Sequence, residues 1–144
     1  MPQSQNARFS GVSPAATGDE HPPGGPFARS IAERLTAAGW ETSIPENWRD
    51  TGWSFVSKRA GADLEVALAV MPPAEEWMLQ VAPLRGGGLL SGLLGRRPSA
   101  NANDVLGLGR AIDAILKTDQ VAGLLWCWDG MPEPDHGTPS PEAG

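Results

Sequence analysis

Tyrosine is absent from this 144-residue chain, and cysteine and histidine are nearly absent. Cys127 is the only cysteine, which excludes a disulfide or a multi-thiolate zinc site within one chain. Both histidines, His21 and His136, lie in terminal segments. The central region therefore lacks the side chain most often used for acid–base catalysis and zinc ligation. We expect no catalytic residue, no metal site and no cofactor.

Long apolar runs are also missing. No stretch approaches the roughly 18 apolar residues of a membrane-spanning helix. The opening residues, MPQSQNARFSGVSP, lack the apolar centre of a signal peptide, so we expect a cytoplasmic protein. Of the net charge of −6, the terminal segments carry most and residues 27–130 carry −2. This acidity argues against nonspecific nucleic-acid binding.

Composition divides the chain into three parts. Residues 1–26 contain five prolines and four glycines, and Phe9 is their only large apolar side chain besides the initiator Met. Residues 131–144 contain four prolines and three acids. Such segments bury too little apolar surface to offset their ordering entropy, so both are predicted to be disordered. Residues 27–130 are long enough for one hydrophobic core and are predicted to form a single domain.

Two amphipathic helices frame this domain. Phe27, Ile31 and Leu35 recur every fourth residue, which predicts a helix over about 27–38 that Gly39 ends. A second helix is predicted after residues 99–103, where Ser99, Asn101 or Asn103 supplies the N-cap. Asp113 and Lys117 lie four residues apart and are predicted to pair on the outer side of this helix.

Strand patterns lie between the helices and after the second one. WETSI (residues 40–44) is a weak strand candidate, WSFVSK (53–58) and DLEVALAV (63–70) flank a hairpin turn, and WMLQVAP (77–83) follows. The apolar run VAGLLWCW (121–128) predicts a last strand covered on both faces. The predicted fold is α+β, with two layers: an open, mostly antiparallel sheet of four to five strands with two helices on one face, in the order α-β-β-β-β-α-β.

The most unusual stretch, PLRGGGLLSGLLGRRP at 83–98, resembles phosphate-binding loops only in its glycines. Gly87 and Gly92 have the P-loop spacing, but Leu93 and Leu94 occupy the positions of the lysine and the hydroxyl residue that would touch phosphate and magnesium. The dinucleotide fingerprint fails as well, because Ser91 stands where its third glycine belongs.

Four leucines of this stretch require a cover. Burying one leucine contributes roughly 1.5–3 kcal/mol, so leaving four in water forgoes up to about 6–12 kcal/mol. Three surfaces could bury these leucines: the protein's own core, a protein partner or second copy, or a membrane surface to which the nearby arginines are attracted. We call residues 84–97 the flap. The predicted partner-binding residues are its Leu89, Leu90, Leu93, Leu94, Arg85, Arg96 and Arg97, together with Trp48. Trp48 is expected to be exposed, because it lies in the polar loop PENWRDTG.

The leading functional hypothesis is that this protein is a non-enzymatic protein-interaction module. Its role would be that of an adaptor, a chaperone-like protein or an immunity-like protein. Its partner is another protein or a second copy in a homodimer, and a membrane surface is a less favoured alternative. The order of elements loosely resembles that of small α+β proteins that bacteria use as toxin-neutralising immunity proteins or secretion chaperones. The rival hypothesis is a small-molecule binder or minor enzyme with a pocket between sheet and helices, using Asp63, Glu65 or Arg85.

Overall fold

The computed structural model describes residues 3–71, 75–84 and 100–144. In these ranges the chain forms seven strands and three helices. The strands are β1 (Gln5–Ser10), β2 (Glu41–Thr42), β3 (Glu46–Trp48), β4 (Gly52–Arg59), β5 (Ala62–Met71), β6 (Glu76–Pro83) and β7 (Ala122–Trp128). The helices are α1 (Pro14–Thr17), α2 (Gly25–Ala37) and α3 (Ala102–Thr118).

The strands form one antiparallel sheet in the order β2-β4-β5-β6-β1-β7, and β3 pairs with β4 beside β2. The predicted α+β class with an open antiparallel sheet is confirmed. The number of elements differs, since the described residues hold seven strands where four to five were expected, and a third, four-residue helix.

The first strand comes from the segment predicted to be disordered. β1 lies between β6 and β7 and pairs with both, and Ala7 and Phe9 are fully or almost fully buried in the core. Both neighbouring strands hydrogen-bond to β1, so its backbone groups are satisfied whatever its side chains are. Composition averaged over residues 1–26 hid this short strand, because four of the five prolines and all four glycines follow it.

The proline- and glycine-rich residues after α1 pack on the sheet. The Trp53 indole Nε1 donates to the carbonyl oxygen of Pro22 at 2.9 Å. Gly24 has a φ of 102°, and a Cβ there would lie 2.7 Å from the Trp77 ring. A glycine at this position permits both the left-handed backbone and the close approach.

The C-terminal residues, also predicted to be disordered, wrap around the edge of β7. Thr138 and Trp126 exchange two backbone hydrogen bonds of 2.8 Å. On the helix side of the sheet, the Trp128 Nε1 donates to the Glu142 carbonyl oxygen at 2.8 Å, and Pro141 is buried. This segment has too few apolar side chains to form a core of its own, but its backbone groups bond to an edge strand that would otherwise be open.

Asp129 links the end of β7 to the residues just before β1. Its carboxylate accepts hydrogen bonds from the backbone N–H groups of Gln3 at 2.7 Å and Ser4 at 3.0 Å. These bonds hold the pKa of Asp129 below its usual value, because they stabilise the charged form.

One face of the sheet carries the core. α2 and α3 pack against it, and α3 begins at Asn101 with a complete capping box formed with Asp104. The prediction that Asp113 lies on the outer side of this helix is wrong. Asp113 is buried, and it accepts a hydrogen bond from Trp126 Nε1 at 3.0 Å and one from Lys117 Nζ at 2.8 Å. The predicted pairing of Asp113 with Lys117 is present.

Candidate functional site

Seven of the eight predicted partner-binding residues lie outside the described residues: Arg85, Leu89, Leu90, Leu93, Leu94, Arg96 and Arg97. The described residues show where the flap is attached. Leu84, its first residue, donates its backbone N–H to the Asp63 carbonyl oxygen at 2.9 Å, at the end of β6. The chain is described again from Ala100, which packs against the core.

Trp48, the eighth residue, differs from its predicted exposure. The loop PENWRDTG contains a strand, β3, and a turn in which Arg49 and Asp50 adopt φ values of 54° and 57°. The strand pairs Trp48 with Gly52, and the Arg49 guanidinium carbon lies 5.2 Å from the centroid of the Trp48 ring. Trp48 is therefore half-buried, and the interaction between ring and cation covers part of its surface.

Trp48 lies on the outer face of the sheet, opposite the face that carries α2 and α3. Side chains alternate between the faces of a strand, so the strand pairing defines which residues share a row. One outer row is apolar where it crosses β3, β4, β5 and β6, and beyond Met78 it continues to Arg8 on β1. We call its apolar part the Trp48–Met78 row. It consists of Trp48, Gly52, Ala69 and Met78.

Between its two large side chains, Trp48 and Met78, the row contains only the small residues Gly52 and Ala69. Trp48 and Met78 are partly exposed, whereas Ala69 is buried. A Cβ at Gly52 would lie 2.0 Å from the Leu68 carbonyl oxygen, so the strands come too close there for any side chain. Sequence reasoning missed Met78 and Ala69, although the alternation in β5 and β6 already places them opposite the buried leucines.

Acidic residues outnumber basic ones on the outer face. The strand pairing places Lys58 between Glu41 and Asp63, and Arg8 forms an ion pair with Glu76. Two further acids of this face, Glu46 and Glu65, form no ion pair within the described ranges. Counting Arg49, which lies over the Trp48 ring, the five acids named here outnumber three basic residues.

The residues of the rival hypothesis do not converge on a described pocket. Asp63 and Glu65 are partly exposed on the outer face, and they line none of the cavities in the described part of the chain. Arg85 lies outside the described residues.

Cys127 has the properties of a structural thiol. Its Sγ donates a hydrogen bond to the Gly130 carbonyl oxygen at 2.8 Å. Burial, helped by the nearby Asp129 carboxylate, raises the pKa of the Cys127 thiol. A thiol with a raised pKa is a poor nucleophile at neutral pH.

Three cavities are lined by described residues. One of about 490 Å³ lies between α1 and the adjoining ends of β5 and β6. A second, of about 260 Å³, lies beside the Arg8–Glu76 ion pair under Pro132 and Pro134. A third, of about 160 Å³, is bordered by the Arg34–Asp119 ion pair.

Within residues 3–71, 75–84 and 100–144, no three His, Cys, Asp or Glu residues are grouped so that they would hold a metal ion. None of the helices in these ranges is both long and apolar enough to span a bilayer. Comparisons with protein-family models, with curated proteins and with solved structures gave no match to this chain.

Proposed function

We propose that this protein is a non-enzymatic interaction module that uses the outer face of its sheet, with the Trp48–Met78 row at the centre. The observation that carries the proposal is this row: a partly exposed tryptophan and methionine on either side of residues without bulk. Tryptophan is enriched among residues that dominate binding energy, and methionine adapts to varied partner shapes. The contacts predicted for the flap would be separate from this row, because the flap follows Leu84, at the end of β6 farther from Met78.

The charge around the row selects the kind of partner. Glu46 and Glu65 lie on the same face without an ion pair to a described residue. A second copy docked face to face would bring these acids together, and like charges across an interface are unfavourable. The partner that fits is a different protein with an apolar segment flanked by Lys or Arg.

Photocrosslinking tests this proposal. A photoreactive amino acid at position 78 of the full-length protein is activated in cells, and the crosslinked partner peptide is sequenced. We expect a peptide with apolar residues flanked by basic ones. The partner is then purified, and its affinity is measured by titration calorimetry at two salt concentrations.

Variants identify the surface. Trp48→Ser and Met78→Ser are each expected to weaken binding about tenfold or more, which corresponds to about 1.4 kcal/mol. Glu46→Lys is expected to weaken binding and to reduce its salt dependence. Ala37→Ser is the control, because Ala37 is exposed at the end of α2, on the opposite side of the sheet. Circular dichroism verifies that each variant is folded.

Three results would overturn the proposal. Equal affinity of Met78→Ser, Glu46→Lys and the Ala37 control would show that this surface does not take part in binding. A crosslinked peptide without basic residues would exclude the proposed partner chemistry. If crosslinks form only between two copies of this protein, and light scattering shows a dimer, the surface serves self-association and not a different partner.

A further inference from the structure

One cavity lined by described residues lies at the other end of β5 and β6 from the flap. It is formed where β1 ends, α1 begins and β5 gives way to β6. Its volume of about 490 Å³ falls within the range of about 300–1,000 Å³ typical of small-molecule sites. Its lining residues are Gly11, Val12, Pro14, Thr17, Pro23, Val70, Glu75 and Trp77.

The walls of this cavity are mainly apolar and are fixed by packing. Trp77 is 2% exposed and meets Phe27 edge to face, with ring centroids 5.5 Å apart. On the other side, Gly24 lies directly against the Trp77 ring. The two lining prolines have restricted backbones, so this wall does not need to be ordered when a ligand binds.

The polar side chains in the lining accept hydrogen bonds. Thr17 uses its only hydroxyl proton for the Pro14 carbonyl oxygen at 2.8 Å, so its remaining capacity is as an acceptor. Glu75 is exposed at the cavity and makes no ion pair with a residue in the described ranges, whereas its neighbour Glu76 is paired with Arg8. An ionised carboxylate accepts only. These two side chains would therefore bind a donor group of a ligand, and a positive charge on that group complements Glu75.

We propose that this cavity binds a small organic ammonium ion, with its apolar body against Trp77 and Val70 and its N–H groups on Glu75. Charge-assisted hydrogen bonds of this type are stronger than neutral ones. The site shares no residue with the Trp48–Met78 row, so the inference goes beyond the proposed function and stands or falls separately from it.

Three probes of similar shape and different charge test the ligand class. They are 2-phenylethylammonium, the neutral 2-phenylethanol and the anionic 3-phenylpropionate, each titrated into the full-length protein. The readout is the set of six tryptophan indole N–H signals in ¹H–¹⁵N NMR spectra, assigned with single Trp→Phe variants. We expect the ammonium probe to shift the Trp77 signal at lower concentration than the alcohol, and the carboxylate to bind weakest.

Glu75→Gln is expected to reduce the affinity for the ammonium probe about tenfold or more and to leave the affinity for the alcohol nearly unchanged. Glu33→Gln is the matched control, because it makes the same charge change at an exposed position on α2. Val70→Phe is expected to fill the cavity and to abolish binding of both probes. Unshifted signals of Trp40 and Trp126 verify that the variants keep their fold.

The proposal fails if the Trp77 signal stays unchanged up to millimolar ammonium probe, because the cavity then takes no ligand of this class. It also fails if the three probes bind equally, or if the two glutamate variants behave alike. In those cases Glu75 does not select a cation.

Discussion

Asp113 shows how one buried polar side chain holds an element in place. It is 8% exposed and accepts a hydrogen bond from the indole of Trp126, which is fully buried on β7. Lys117 approaches the same carboxylate from solvent, with half of its own side chain exposed. An exposed cation adds little to stability, so the main role of Asp113 is to satisfy the indole N–H.

We predict that Asp113→Ala lowers the free energy of unfolding by about 1–3 kcal/mol, because it leaves a buried donor without an acceptor. Asp113→Asn keeps an acceptor oxygen and should have a smaller effect. Urea unfolding followed by tryptophan fluorescence gives the comparison, with Asp135→Ala as control at a side chain that is 87% exposed. Equal stability of the alanine and asparagine variants would contradict this role.

The sequence predicted residues well where local spacing decides, and less well where a tertiary contact decides. The spacing of Asp113 and Lys117 predicted their pairing. The sequence around Asp113 did not indicate that its carboxylate would be buried by a hydrogen bond to Trp126. In the same way, Trp48 was predicted to be exposed because its neighbours are polar. Its partner on the sheet is a glycine, so the ring lies on the surface of the sheet instead of projecting into solvent.

At the scale of elements, the C-terminal segment acts as a cover for β7. It crosses from the outer face, where Gly137 lies against Leu125, to the helix side, where Lys117 donates to the Ser140 hydroxyl. Between these points Thr138 forms backbone hydrogen bonds with the strand. An uncovered edge strand presents free N–H and C=O groups to other chains.

We therefore predict that deletion of residues 131–144 lowers the melting temperature and causes concentration-dependent association, measured by light scattering. Thr138→Pro removes one of the two backbone donors and should have a smaller effect in the same direction. Deletion of the exposed Ala143 and Gly144 is the control. A truncated protein that stays monomeric with an unchanged melting temperature would show that this segment does not protect the edge.

Elements with strong periodicity were predicted closely. The helix expected at about 27–38 is observed at Gly25–Ala37. The three strands of the central meander all lie within one residue of their predicted limits. β1 was missed because it has no strong pattern of its own. Its partners are about 70 and 120 residues away along the chain, and pairing over such separations leaves no mark on local periodicity.

At the scale of the whole molecule, β1 is required to connect β7 to the rest of the sheet. β7 joins the sheet through β1, so residues 27–130 alone would lack the strand that connects the last strand to the rest. They would also lose Phe9, whose ring packs edge to face on Phe27 at 6.1 Å. Removing a central strand leaves two sets of backbone groups without partners and opens the core.

We predict that the fragment 27–130 does not fold cooperatively, whereas the full chain and a fragment starting at Gln3 do. All six tryptophans lie within 27–130, so near-ultraviolet circular dichroism and fluorescence report on the same chromophores in each protein. The shorter fragment should lack the sharp near-ultraviolet bands and show a gradual response to urea instead of a sigmoidal transition. A sigmoidal transition of the fragment at the midpoint of the full chain would make β1 an accessory strand. A cooperative unit that needs both ends of the chain follows from the central position of β1 and from Asp129, which binds the backbone of Gln3 and Ser4.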